Sequence, residues 1–411
     1  MVNGYFDSVK YEGDFYFYLF ELANFSVLAF FLIILYKLQY LSVNSLIVWT
    51  GIFFSPFLFN YFLFSPLLFP DQFQYAGEVM SLKSTGESIQ NIQAEIVANN
   101  NSLAAFSFVP GSMHTVNFSA GILGWAPIPN YMTVTSLAFA NKFFLFLLFL
   151  WLRKFFSNEN HLLLLFLVPS LVLYSSLSLR DNLVIIFSVL FLLQMLRGRY
   201  IISLFLLYPL LHLKIQMFAF LSIYYVGRLI FQAHKSYIGF GILILALLSA
   251  AILLDDAVLL TLNSYRYGFA AENLDLGNGL TNYAAWGLYG AEIQDSLTMH
   301  SIPEVIYLSL LGLPKLLLVP LPWNWTTVFY PLQSLESVGI VVLFSWVVIK
   351  NNLIRNQEFL FLLFVLICAL MVYSLLLFNV GTFVRYRFTL VYPFLLATFF
   401  IAEHLQSLEK K

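Results

Sequence analysis

The sequence predicts an all-α fold, a polytopic integral membrane helical bundle forming one domain over 1–411, and three observations predict it. Hydrophobic residues make up 61% of the 411 and charged residues only 10%, with a mean hydropathy of +0.84. A soluble domain carries about a quarter charged residues. Apolar runs of bilayer-spanning length recur along the whole chain, as a membrane demands of segments that must satisfy their own backbone. The basic residues, finally, fall unevenly among the connections.

The runs lie at 15–36, 45–66, 131–152, 161–178, 182–196, 199–213, 215–232, 237–254, 328–349, 358–378 and 388–403, giving about eleven spans. Lys37, Arg153, Lys154, Arg197, Arg199, Arg228, Lys235, Lys350, Arg355, Lys410 and Lys411 lie in short connections or at the C-terminal end. The positive-inside rule places all of them in the cytoplasm and the N-terminus outside. Two large polar loops, 67–130 and 255–327, are then extracytoplasmic. The second contains an apolar stretch, "IPEVIYLSLLGLPKLLLVPLPWNW" (302–325), that would export Lys350 and Arg355 if it crossed. Pro314, Pro320 and Pro322 are expected to break it into pieces. It reads as a re-entrant or interfacial segment with Trp323 and Trp325 at headgroup level, or else as a kinked twelfth span.

Several classes are excluded. A net charge of −1 argues against a nucleic-acid partner, and one cysteine, Cys368, permits no intrachain disulfide. No HExxH, Walker or GxGxxG motif is present, and no spacing of acids and histidines suggests a metal or a cofactor. The acids before the first apolar run do not fit a cleaved signal peptide.

The candidate site rests on charges that a bilayer should reject. In "SSLSLRDNLVIIFSVLFLLQMLRGR", Asp181 to Arg197 spans about 24 Å of helix, and Arg199 to Lys214 about 22 Å, against a hydrocarbon thickness of about 30 Å. With Arg197 and Arg199 at the inner headgroups, Arg180, Asp181, His212 and Lys214 sit recessed below the outer ones. Either they line a wet cavity open to the outer leaflet, or Arg180 and Asp181 pair while the bilayer thins. A second basic pair, Arg385 and Arg387 in "FNVGTFVRYRFTLVYPF", precedes the last run. With Arg180 it would form a diphosphate clamp, since guanidinium forks bind phosphate bidentately. Alternatively the pair snorkels to the headgroups.

Other polar outliers carry two readings each. Lys142 beside Asn141 faces the same cavity, or its helix starts later. Asp71 in "FPDQFQYAGEV" is a general base toward a sugar hydroxyl or a helix cap, and His212 is an alternative base. Tyr283, Trp286 and Tyr289 in "TNYAAWGLYG" stack on sugars or anchor the interface.

The run "PSLVLYSSLSLRDNLVIIFSVLFLL", followed by "LLHLKIQMF", resembles the Wzy-type O-antigen and exopolysaccharide polymerases. "LPWNW" with "LQSLES", and "NVGTFVRYR", are similar to segments of membrane proteins of polysaccharide clusters. The likeness covers about 165–225 and 312–395 and matches Arg180 and His212 to the family's arginine and histidine. Asp181 stands where the family has Gln. The resemblance implies transfer of a growing glycan from undecaprenyl diphosphate to the next lipid-linked repeat unit. That reaction takes place at the outer leaflet of the bacterial inner membrane without metal or cofactor. It implies as partners the undecaprenyl-diphosphate-linked oligosaccharide, membrane lipids and a chain-length regulator protein. Arg180, His212, Asp71 and Asp181 would be catalytic; Arg385, Arg387, Lys142, Lys214 and Trp323 would bind substrate. Two rivals remain: a GT-C-like glycosyltransferase using polyprenyl-phosphate sugar, and a flippase or transporter of lipid-linked glycan.

Overall fold

A computed structural model describes residues 15–63, 75, 110–128, 136–234, 259–264, 266, 298–320, 329–376 and 380–409. Their regular structure is helical, with no strand among the described residues. The helices are α1 (Phe15–Lys37), α2 (Val43–Phe57), α3 (Pro110–Leu123), α4 (Ser136–Leu152), α5 (Glu159–Phe166), α6 (Pro169–Ser175) and α7 (Asp181–Leu196). Then follow α8 (Tyr200–Leu213), α9 (Ile215–His234), α10 (Ile302–Leu318), α11 (Phe329–Lys350), α12 (Gln357–Leu376) and α13 (Val380–Glu409).

Five of them hold a stretch long and apolar enough to cross a membrane: Leu19–Lys37, Val43–Asn60, Tyr330–Lys350, Gln357–Leu375 and Val384–Leu405. Four shorter apolar helices, in Ser136–Leu152, Asp181–Leu196, Tyr200–Leu213 and Ile215–Ile230, coincide with expected spans. The chain is a membrane protein. The run 237–254 lies outside the described residues, and the run 161–178 is not one helix. It is α5 and α6, separated at Leu167 and Val168 because Pro169 lacks an N–H and disfavours helix in the residue before it.

Where the sequence reads as one domain, the chain divides into two compact units: 1–190 with 205–215, and 191–204 with 216–411. In the first, Trp49 is fully buried, with ring centroids of Phe53, Phe146, Phe149 and Phe166 4.9 to 5.6 Å away. Burying such a ring among aromatics contributes about 2–3 kcal/mol. At one end of this unit Glu159 accepts from Ser42, Ser45 and Arg153, tying α5 to the start of α2 and to the loop after α4. Within the expected loop 67–130 stands α3, which apolar periodicity did not reveal.

In the second unit α10 lies along α12, where the Ser374 hydroxyl donates to the Ser309 carbonyl at 3.2 Å. α13 packs against α11 and α12. The Tyr224 and Phe361 rings stack at 5.2 Å. Arg228, 4% exposed, pairs with Glu358 at 2.8 Å and reaches the Leu196 carbonyl at 3.4 Å. Arg197 is held below its ordinary value by partial desolvation and by neighbouring Arg199. The expected fragmentation at Pro314 is corrected: α10 runs through that proline and stops at Val319. Val319 is extended (φ −62°, ψ 141°), as the residue before Pro320 prefers.

Candidate functional site

The strongest polar feature of the first unit is a gap in its helices. α6 ends at Ser175, α7 begins at Asp181, and residues 176–180 between them are not helical. In a membrane such a segment needs donors for its carbonyls, and neighbouring helices supply them. Asn141 of α4 donates through Nδ2 to the carbonyls of Leu177 (2.8 Å) and Leu179 (2.9 Å). Asn182 returns a bond to the Asn141 carbonyl at 2.9 Å. Across the gap, α2 passes into a π-helical turn, Leu58–Leu63, behind Pro56. Asn60 in that turn donates to the carbonyls of Pro56 and Ser176, both at 2.9 Å. The Ser55 and Ser176 hydroxyls meet at 2.7 Å.

Lys142 belongs to this framework. Its ammonium is fully buried and donates to the Val172 carbonyl (2.8 Å) and the Ser175 hydroxyl (2.7 Å), at the C-terminal end of α6, where a cation suits the helix dipole. This corrects the expectation that Lys142 binds substrate: it faces protein, with no surface left for a ligand.

Arg180 and Asp181 follow the gap and part company. Asp181 is 2% exposed and opens α7, whereas Arg180 is half-buried. The Arg180 guanidinium makes no hydrogen bond or ion pair among the described residues, so the expected alternative of an Arg180–Asp181 pair is corrected. The Arg180 carbonyl accepts from Val184 N–H at 3.1 Å, fixing residue 180 as the threshold of α7. A guanidinium at a helix N-terminus adds its charge to that of free N–H groups, an arrangement suited to an anion.

His212 stands in the last turn of α8, half-buried, its ring 4.8 Å from Phe118 of α3 and 4.6 Å from Tyr208. Lys214, between α8 and α9, is 5% exposed. α7 and α8 have 16 and 14 residues, so they are about 24 and 21 Å long and fall short of a bilayer.

Arg385 and Arg387 were expected ahead of the last helix; both lie inside α13. Arg385 is half-buried. Arg387 is 6% exposed, and its Nη1 donates to the carbonyls of Leu316 (3.2 Å), Leu317 (3.1 Å) and Val319 at the end of α10. Arg387 is therefore a cap for α10, which corrects its assignment to a phosphate clamp. Asp71, Trp323, Tyr283, Trp286 and Tyr289 lie outside the described residues.

Four polar residues were missed in the sequence, and two of them left a signal. Glu21 and Asn24 of α1 are fully buried within an apolar helix. Their i, i+3 spacing on one face was the available signal. Asn60 and Asn182 gave no such signal, because isolated amides in apolar runs do not disturb hydropathy. Among the described residues no group of acids, histidines and cysteines could hold a metal. No family model, curated protein or solved structure matches the chain.

Proposed function

We propose that this chain is a membrane glycosyltransferase that polymerises undecaprenyl-diphosphate-linked oligosaccharide repeat units, as the resemblance to Wzy-type polymerases implies. It would work at the outer leaflet of the bacterial inner membrane, with about eleven spans, 302–325 re-entrant or interfacial, and the N-terminus outside. The observation that carries the reading is Arg180: a half-buried guanidinium without a partner among the described residues, at the N-terminus of a helix too short to span.

In the reaction the bond between the anomeric carbon and the diphosphate oxygen breaks. An acceptor sugar hydroxyl bonds to that carbon, its proton passes to a base, and undecaprenyl diphosphate leaves. Arg180 and the α7 N–H groups stabilise the charge that grows on the departing diphosphate. His212 is the candidate base in this reading, and Asp71 is that of the GT-C-like rival. Feeding purified protein a lipid-linked repeat unit in detergent tests this. Longer glycan on polyprenyl diphosphate, lost in Arg180→Ala, supports the reading; equal extension by that variant overturns it.

One observation favours a second reading, a carrier for lipid-linked glycan. The gap at 176–180 and the π-helical turn Leu58–Leu63 touch through Asn60 and Ser176, and discontinuous helices of this kind recur in transporters. Detergent solution has no second compartment, so product formed there excludes a carrier as the whole function.

A further inference from the structure

We propose that Asn141 is the positioning residue for Arg180, setting where that guanidinium meets a diphosphate; the proposal rests on the polymerase reading above. The argument begins with what holds each part of the gap. Lys142 acts on Val172 and Ser175, at the end of α6. Asn60 acts on Ser176, the first residue after it. Asn141 alone among these three reaches the far side, with both hydrogens of one amide on the carbonyls of Leu177 and Leu179.

Residue 180 is then caught between two fixed carbonyls. Leu179 is held by Asn141, and the Arg180 carbonyl is held by Val184 of α7. The amide orientation is not ambiguous, because two carbonyl acceptors require Nδ2 on that side. Asn141 is itself immobilised: it is fully buried in α4, and its carbonyl receives Asn182 from the first turn of α7. A ring of bonds therefore joins α4, the gap and the start of α7, and Arg180 belongs to it through its backbone while its side chain has no bond among the described residues. Among the described residues the backbone is the hydrogen-bonded anchor of this guanidinium, so fixing that backbone fixes where it meets a ligand.

The test titrates the full chain in detergent with farnesyl diphosphate as the probe. Arg180→Ala is expected to bind at least tenfold more weakly. Asn141→Asp keeps the shape but removes both donors and is expected to lose at least tenfold as well. Asn141→Ser retains one donor and should lose threefold to tenfold; it decides alone if the aspartate variant fails to fold. Glu159→Gln, which loosens the opposite end of the same unit, should lower thermal stability yet bind within twofold of the parent. Parental affinity in a folded Asn141 variant beside a weakened Arg180→Ala overturns the positioning role and leaves the polymerase reading standing. A Glu159→Gln loss as large as that of Asn141→Ser overturns it too, since affinity would then track stability. Parental affinity in Arg180→Ala removes the phosphate contact itself, and the proposal with it.

Discussion

Arg385 and Arg387 stand two positions apart in α13, so their side chains leave the helix about 200° apart. Arg387 is committed to the end of α10. Arg387→Ala strips a charged donor from three carbonyls and is expected to cost about 2–3 kcal/mol. Arg385→Ala, at a half-buried position, should cost about 1 kcal/mol or less. Thermal unfolding in detergent compares them, and equal losses would show that the cap contributes nothing.

The neighbours Asn141 and Lys142 should behave oppositely on removal. Without Lys142 the Val172 carbonyl still accepts from Ser176 Oγ at 2.5 Å, and Ser175 Oγ still donates to Leu171. Lys142→Met also relieves the burial of an ammonium, so its expected cost is within about 1 kcal/mol of zero. Asn141→Leu instead removes the donor that serves two gap carbonyls, at about 1–3 kcal/mol for each. A lysine variant less stable than the asparagine one would refute this ordering.

Among the described residues the Arg180 side chain has no hydrogen-bond or ion-pair partner that its loss would orphan. Arg180→Ala should unfold within about 0.5 kcal/mol of the parent while chain extension on lipid-linked repeats disappears. A stability loss near that of Asn141→Leu would mean that Arg180 serves the fold, and the phosphate role would fall.

Arg228 and Glu358 form a pair with unequal exposure, their side chains being 5% and 42% accessible. Removing the buried partner costs more, because Tyr224 and the Leu196 carbonyl also face Arg228. Arg228→Met is expected to cost about 2–3 kcal/mol and Glu358→Gln about 1 kcal/mol, with water screening the exposed carboxylate. Denaturation at two salt concentrations checks both values, since the carboxylate's share should shrink as salt rises.

Asp71→Asn separates the two enzyme readings. A polymerase that relies on Arg180 should keep most of its extension activity, whereas a GT-C-like transferase needs the loop carboxylate as base. Activity reduced a hundredfold or more would favour the latter.

The sequence by itself determined where most of the apolar helices of this protein run. α1, α4, α7, α8, α9, α11 and α12 fall within a few residues of the apolar runs, because a bilayer tolerates only self-satisfied backbone of limited length. Pro320 marked a helix end for an equally local reason, whereas the helix start at Pro169 lies inside a run that reads as one span. The stunted lengths of α7 and α8, and a charge pair at one end, were also legible. Only the tertiary structure decided what each polar group does. Hydropathy registers that Lys142, Arg180 and Arg387 are costly in hydrocarbon, and it is blind to the partner that relieves the cost. Those partners lie far away in the chain: Val172 for Lys142, Leu316 for Arg387, and none among the described residues for Arg180. Two of the three cations are thereby absorbed by carbonyls at helix ends, and Arg180 is the one of the three without a side-chain partner among the described residues.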